Sequence, residues 1–81
     1  MNSVIIYTTN SCPYCVAAKA LLNQHALSYQ EIDVAQDTQK FQQMVDLTNQ
    51  RTVPQIIIDG VHIGGHRELS RYIAKSPLKT A

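Results

Sequence analysis

Strand-like and helix-like segments alternate along this chain of 81 residues, and no other feature limits its possible folds as strongly. The short apolar run Ser3–Thr8 is typical of a strand, and apolar residues at helical spacing follow over Pro13–His25. A second strand-like segment, Ser28–Val34, precedes a second helical segment at Thr38–Gln50, with Asp37 as its N-cap. Strands joined through a helix usually lie parallel with a right-handed crossover. The first half therefore predicts a β-α-β-α unit.

The second half of the chain has a different pattern, because two apolar runs flank the dipeptide Asp59-Gly60. Such a dipeptide is a strong signal for a tight turn, so we expect an antiparallel hairpin here. A final amphipathic helix is predicted at Glu68–Ala74, and residues 75–81 form a polar tail. The whole pattern predicts one α/β domain over residues 1–81, with a four-stranded mixed sheet and three flanking helices in the order β-α-β-α-β-β-α.

The charge of the chain argues against several classes of partner. Lysines and arginines total 7 and acidic residues 6, which gives a formal net charge of +1, with no run of like charges. We therefore expect neither nucleic acid nor a membrane surface among its partners. The apolar run near the N-terminus is too short for a signal-peptide core, and no stretch approaches a membrane-spanning length. We expect a cytoplasmic monomer.

Two cysteines, Cys12 and Cys15, stand at the junction of the first strand and the first helix. Cys12 occupies the N-cap position and Pro13 the first helical position, which proline favours. The N–H groups of Tyr14 and Cys15 should then point at the Cys12 sulfur, where the positive end of the helix dipole stabilises a thiolate. Cys15, inside the first turn, gains less from the dipole. We therefore expect Cys12 to be the nucleophile and Cys15 the resolving thiol.

Two other uses of the cysteine pair are compatible with its spacing. A structural disulfide between residues so close in sequence would remove little chain entropy. Zinc is the second alternative, since His62 and His66 complete a formal Cys₂His₂ pattern. About 46 residues separate Cys15 from His62, however, against about 12 to 15 in a zinc finger. The residues favour a redox-active dithiol without excluding either alternative.

Three motifs together give the chain a resemblance to a known family. The sequence "CPYC" follows the first strand, "TVP" at Thr52–Pro54 precedes the third strand, and Gly64-Gly65 follows the fourth. In this order and spacing the motifs resemble those of glutaredoxins, and the resemblance covers about Ser3–Ala74. It implies a thioredoxin fold and a glutathione-dependent thiol–disulfide oxidoreductase. Such an enzyme reduces protein disulfides and protein–glutathione mixed disulfides through Cys12 and Cys15.

The resemblance also implies the partners. Glutathione would be the co-substrate, with no bound cofactor or metal. The protein substrates would be glutathionylated or disulfide-bonded, with ribonucleotide reductase as one candidate. Two alternatives are an electron donor to ribonucleotide reductase that thioredoxin reductase recharges, and an iron–sulfur or metal-binding module. Relatives that bind iron–sulfur clusters typically carry a monothiol or proline-free motif, so "CPYC" favours the dithiol enzyme.

A glutathione-binding groove beside the dithiol is the third implication of the resemblance. Its candidate residues are Tyr14, Arg51, Thr52, Val53, Pro54, Gly64, Gly65, His66 and Glu68. Most X-Pro bonds are trans, but the matching proline of glutaredoxins is cis, which would leave the Val53 backbone free to pair with an extended substrate. The N–H groups of Gly65 and His66 would hold the γ-glutamyl α-carboxylate. Tyr14 would line the groove, and Arg51 would attract the glycine carboxylate.

Two positions differ from the usual family pattern. Glutaredoxins often carry a lysine shortly before the first cysteine, where this chain has Thr9, and usually an acidic residue where it has Arg67. Glu68 is then the acid left to meet the α-amino group of glutathione. The like charge of Arg67 should weaken that contact modestly, while catalysis at Cys12 is expected to be unaffected.

Overall fold

Strands and helices alternate in the computed structural model, which describes residues 3–75. The elements are β1 (Val4–Thr8), α1 (Pro13–Gln24), β2 (Gln30–Asp33), α2 (Thr38–Thr48), β3 (Gln55–Ile58), β4 (Val61–Gly64) and α3 (His66–Lys75). Their order is β-α-β-α-β-β-α, as predicted. No helix within residues 3–75 has both the length and the apolar character needed to cross a membrane.

The four strands form one mixed sheet in the order β2-β1-β3-β4. β1 pairs in parallel with β2, while the β1–β3 and β3–β4 pairs are antiparallel. Asp59 and Gly60 have φ values of 52° and 81°, and a two-residue turn of type I′ needs positive φ at both positions. The predicted hairpin and mixed sheet are therefore confirmed.

Helices cover both faces of the sheet, because successive residues of a strand point to opposite sides. Ile6 of β1 and Leu69 of α3 are buried in a core that α1 and α3 form on one face. The next residue of β1, Tyr7, is buried on the other face with Met44 of α2. Both faces of β1 are thus covered, and four of the five residues of this central strand are buried.

The register of the strands brings three distant parts of the chain to one end of the sheet. Tyr7, near the end of β1, pairs with Gln55 at the start of β3, and Ile56 pairs with Gly64 at the end of β4. The starts of α1 and α3 and the loop before β3 therefore lie close together. This end of the sheet carries all the motifs that the sequence analysis singled out.

Several element boundaries differ from the predicted ones. α3 begins two residues earlier than predicted, at His66, because the Glu68 side chain caps the backbone at Gly65. It also includes Lys75, which was predicted to belong to the polar tail, and the rest of that tail lies outside the described residues. α2 ends early because Asn49 has a φ of 60°, a left-handed conformation that stops a helix. β2 is shorter than predicted at both ends.

Candidate active site

The Cys12 side chain caps α1 at its N-terminus. Cys12 has extended backbone angles, and its Sγ accepts a hydrogen bond from the N–H of Cys15 at 3.3 Å. Pro13 is the first helical residue, so the predicted cap is confirmed. The N–H of Tyr14 was also predicted to donate to this sulfur, but among residues 3–75 only Cys15 does. This is ordinary cap geometry, in which the third helical residue supplies the donor.

The two thiols of the site differ in their surroundings. Both are free, but Cys12 is partly exposed whereas Cys15 is only 1% exposed. Burial raises the pKa of Cys15 to about 12, and its hydrogen bond with Cys12 acts in the same direction. Cys15 is therefore a thiol at neutral pH, and the sulfur that a substrate can reach is that of Cys12.

The loop before β3 lies against the Cys12 sulfur. Cys12 Sγ is 3.6 Å from the carbonyl oxygen of Val53, to which the thiol can donate. The peptide bond between Val53 and Pro54 is cis, as the resemblance implied. The first cysteine and the "TVP" segment are thus in contact although 41 positions separate Cys12 from Val53.

An open groove of about 730 Å³ lies between the start of α1, this loop and the start of α3. Its lining includes eight of the nine predicted glutathione-binding residues, namely Tyr14, Thr52, Val53, Pro54, Gly64, Gly65, His66 and Glu68. Arg51, the ninth, is exposed and is not among the lining residues, so its contact with the glycine carboxylate stays a prediction. The rings of Tyr14 and His66 face each other with centroids 6.4 Å apart.

A carboxylate of the chain already occupies one donor at the start of α3. The N–H of Gly65, predicted to be free for a ligand carboxylate, donates to Glu68 Oε1 at 2.8 Å. This hydrogen bond is the main reason that the pKa of Glu68 lies below its usual range. A helix start has several unpaired N–H groups, so those of His66 and Arg67 are the next available to a ligand.

The same Glu68 side chain explains why glycine stands at position 64. Gly64 has a φ of 125°, which other residues rarely adopt. A Cβ atom at this position would also lie only 2.8 Å from Cγ of Glu68. Gly64 therefore lets the Glu68 side chain lie close to the backbone, rather than leaving that space to a ligand.

Gln55 belongs to the site, although it was not among the predicted residues. It is 4% exposed, and its amide Nε2 donates to the carbonyl oxygen of Thr52 at 3.0 Å and to Thr52 Oγ1 at 3.2 Å. With its amide so oriented, its Oε1 accepts from His62 Nε2 at 2.7 Å. Gln55 thus ties strand β4 to the loop that contacts Cys12. The signal for it was a polar residue opening the otherwise apolar run Gln55–Ile58.

The residues of the formal zinc pattern have other contacts. His62 is bonded to Gln55, and the His66 ring lies across the groove from Tyr14. Across residues 3–75, no three side chains of the types that commonly ligate metals converge on one point.

A helix-capping thiol, a buried second thiol and an adjacent cis proline on this sheet define a thiol–disulfide oxidoreductase of the thioredoxin-fold superfamily. The glutaredoxin family model matches residues 4–63 of the chain. The chain therefore belongs to the glutaredoxin family.

Individual relatives agree with this assignment. Glutaredoxin 3 of Escherichia coli is 42% identical over 78 residues, which are 96% of this chain and 94% of that protein. Glutaredoxin 1 of Rickettsia felis is 45% identical over 67 residues, which are 80% of this chain but only 66% of that protein. The match therefore spans slightly less than two thirds of the Rickettsia protein.

Solved glutaredoxin structures have the same fold. The crystal structure of glutaredoxin 1 from Francisella tularensis complexed with cacodylate has a TM-score of 0.77 at 36% identity, covering 93% of this chain and 95% of that one. The buckwheat glutaredoxin–glutathione complex has a TM-score of 0.82 at 30% identity, covering 95% of this chain and 73% of that one.

Proposed function

We infer that this thiol–disulfide oxidoreductase is glutathione-dependent, and that it reduces protein–glutathione mixed disulfides and protein disulfides. The observation that carries this proposal is the position of the Cys12 sulfur. It belongs to the more accessible residue of the pair, it caps a helix, and it contacts Val53, which lines an open groove. The buckwheat relative whose structure contains glutathione supports the choice of co-substrate.

With a glutathionylated protein, the reaction is two thiol–disulfide exchanges. The Cys12 thiolate attacks the glutathione sulfur of the mixed disulfide, so that a Cys12–glutathione bond forms and the protein–glutathione bond breaks. The protein leaves as a thiolate and takes a proton from water. A second glutathione, as its thiolate, then attacks the glutathione sulfur bound to Cys12. This step releases glutathione disulfide and restores the Cys12 thiolate.

With a protein disulfide, the second thiol takes part. Cys12 attacks one substrate sulfur and forms a mixed disulfide with it. Cys15 then attacks the Cys12 sulfur, and its proton goes to the departing substrate thiolate. The product is an internal Cys12–Cys15 disulfide, which two glutathione molecules reduce while becoming glutathione disulfide. Because burial keeps Cys15 protonated, it does not compete with Cys12 for the first attack.

The groove offers contacts suited to glutathione. A carboxylate of the tripeptide can accept from the free N–H groups of His66 and Arg67 at the start of α3, where the helix dipole favours an anion. The backbone of Val53 can pair with the extended peptide beside Cys12. Tyr14 and His66 provide the two ring faces that border this part of the groove.

Two coupled assays test the proposal. In the first, NADPH oxidation is followed with glutathione, glutathione reductase and a glutathionylated peptide; in the second, thioredoxin reductase replaces the glutathione system. We expect turnover in the first assay, its complete loss in Cys12→Ser, and its retention in Cys15→Ser. Turnover with thioredoxin reductase alone would instead identify the electron donor that does not depend on glutathione.

The expected setting of the reaction follows from the same proposal. A glutathione-dependent reductase needs a compartment with reduced glutathione, so we place the protein in the cytoplasm. We also propose that it acts as a monomer, with no membrane or nucleic acid partner. Support comes from the near-neutral net charge of +1. Size-exclusion chromatography of the reduced protein tests the assembly state, and a dimer would contradict it.

A further inference from the structure

All six acidic side chains of the protein are engaged within residues 3–75. Each accepts a hydrogen bond from a nearby backbone N–H or polar side chain. These residues are Glu31, Asp33, Asp37, Asp46, Asp59 and Glu68. Of the six, Glu68 is the one on α3, where the charges of Arg67 and Arg71 help to lower its pKa, and it forms no ion pair with either.

Three basic side chains form an exposed row along α3. Arg67, Arg71 and Lys75 follow one another at intervals of four residues, which places them on one face of the helix. The buried residues Leu69 and Ile73 lie on the opposite face, against the core. Within residues 3–75 the single ion pair joins Lys19 to Glu31, so none of the three has a carboxylate partner there. We call these three residues the basic stripe.

The basic stripe is continuous with the active-site groove. Arg67 lines the groove, and the stripe runs from there toward the C-terminal end of α3. From Arg67 to Lys75 the helix rises about 12 Å, which is the length of about four residues of extended peptide. Glu68 is the acidic residue of α3, and it is bound to the N–H of Gly65.

The acidic residues are distributed unevenly over the surface, although the net charge is only +1. Glu31 and Asp33 lie on β2, at the edge of the sheet opposite β4, and α3 packs beside β3 and β4. Asp37 caps α2 and Asp46 belongs to it, and α2 packs on the other face of the sheet. The basic side chains of α3 therefore lie toward the β3–β4 edge of the sheet, away from the acids at the β2 edge.

We propose that the basic stripe is a docking surface for acidic segments next to the reactive cysteine of the protein substrate. This inference rests on the proposed function and names its substrate class, namely glutathionylated proteins with acidic residues flanking the modified cysteine. Opposite charges along the stripe steer encounter and hold the segment while Cys12 reacts, as charged rims do in other interfaces. The exposed residues between the basic ones are Glu68, Ser70 and Ala74, without the large apolar side chains that a membrane-binding helix needs.

Three glutathionylated pentapeptides test the proposal, with glutamates, serines or lysines on both sides of the modified cysteine. The test variant is Arg71→Gln/Lys75→Gln, neither residue being part of the groove. The matched control is Lys40→Glu, an exposed residue of α2 on the other face, which changes the net charge by the same −2 (two charges neutralised, or one reversed). Thermal unfolding midpoints establish that all three proteins are folded.

We expect the wild-type protein to have a lower KM for the acidic peptide than for the serine or lysine peptide. In the stripe variant, the KM for the acidic peptide should rise about two- to tenfold in about 0.01 M salt. Its kcat and its KM for the serine peptide should not change. The difference should disappear in about 1 M salt, where charges are screened. The Lys40→Glu control should keep the wild-type preference.

Two outcomes would overturn the proposal. One is an unchanged preference for the acidic peptide in the stripe variant, and the other is an equal loss of preference in Lys40→Glu, which would reflect net charge alone. Loss of binding to anionic lipid vesicles with unchanged peptide KM would assign the stripe to a membrane instead. Turnover of the serine peptide separates these failures from a failure of the proposed function, in which no peptide would react.

Discussion

Cys12 and Cys15 are one helical turn apart and yet have different chemical environments. The Cys12 sulfur accepts from the backbone at the start of α1 and contacts Val53 beside the groove, whereas the Cys15 side chain is buried in the first turn. The cap at Cys12 was predictable from the order of residues alone, because Pro13 and the N-cap position are local signals, whereas the burial of Cys15 depends on tertiary packing. A single turn of helix therefore separates the roles of the two thiols.

The first prediction concerns selective alkylation of the two thiols. Iodoacetamide reacts with thiolates, and the pKa of Cys15, raised to about 12, keeps it protonated across about pH 6 to 9. We expect the reduced native protein to incorporate label at Cys12 and not at Cys15 over this range, as measured by peptide mapping. Unfolding in denaturant should expose both and lower the pKa of Cys15 toward its ordinary value. Comparable labelling of Cys15 in the native protein would contradict its burial.

The second prediction concerns Gln55, whose amide holds the Thr52 segment in place. Gln55→Leu keeps about the same volume but removes the three hydrogen bonds that join Gln55 to Thr52 and His62. We expect KM for the glutathionylated peptide to rise about three- to tenfold, while the rate of Cys12 alkylation, which needs no groove, stays the same. The control is Gln42→Leu, which removes an exposed amide bonded to Asp46 on α2. Equal KM values in the two variants would remove Gln55 from the site.

At the scale of elements, the Glu68 side chain caps the start of α3. Glu68 accepts from the N–H of Gly65 three residues before it, and the absence of a Cβ at Gly64 makes room for this. The arrangement is one half of a capping box. It determines both the first turn of α3 and which N–H groups remain free for a ligand.

The third prediction concerns the pH dependence of this cap. The pKa of Glu68 is lower in the folded protein than in the unfolded one, so its stabilising effect is present above the unfolded pKa and is lost as pH falls through the folded pKa. We expect Glu68→Ala to lower the free energy of unfolding by about 0.5 to 1 kcal/mol at neutral pH. Below about pH 4 the loss should shrink.

Two comparisons check the third prediction. Glu68→Gln, which can still accept from Gly65, should retain part of the stability and lose its pH dependence. Asp46→Ala removes another exposed acid, which is bonded to a side chain and not to a helix start, and serves as the control. Chemical denaturation at several pH values measures all three, and a pH-independent loss in Glu68→Ala would contradict the proposed cap.

The elements differ in how well the sequence predicts them. The start of α1 and the hairpin turn at Asp59-Gly60 depend on neighbouring residues, and both were predicted correctly. The start of α3 depends on a side chain that folds back on the preceding turn, so the apolar pattern alone placed it two residues late. The ends of β2 depend on pairing with β1, which no local pattern records.

The site was predicted in its motifs and less well in its contacts. Eight of nine residues taken from the resemblance line the groove, whereas Arg51 does not, because the direction of a loop side chain depends on its tertiary surroundings. Gln55 was missed because its two partners, Thr52 and His62, come from a loop and a second strand. The occupied N–H of Gly65 depends on one rotamer of Glu68.

At the scale of the whole molecule, the reactive thiol and the groove beside it lie at one end of the sheet. β1 leads into the Cys12 cap, β3 begins after the loop that contacts Cys12, and β4 ends at the start of α3. The basic stripe extends this end along α3, while the acidic residues of β2 and α2 lie at the far edge and on the opposite face. In the proposed reaction, the protein substrate, glutathione and the Cys12 thiol therefore meet at this end of the sheet.

The central claim is that Cys12 attacks the glutathione sulfur of a mixed disulfide, and one measurement addresses it directly. Cys15→Ser, which cannot form the internal disulfide, is mixed with one equivalent of a glutathionylated peptide and examined by intact mass and peptide mapping. We predict one glutathione attached to Cys12 and an equal amount of free-thiol peptide. Attachment of the peptide itself to Cys12, or no adduct on Cys12, would contradict the account.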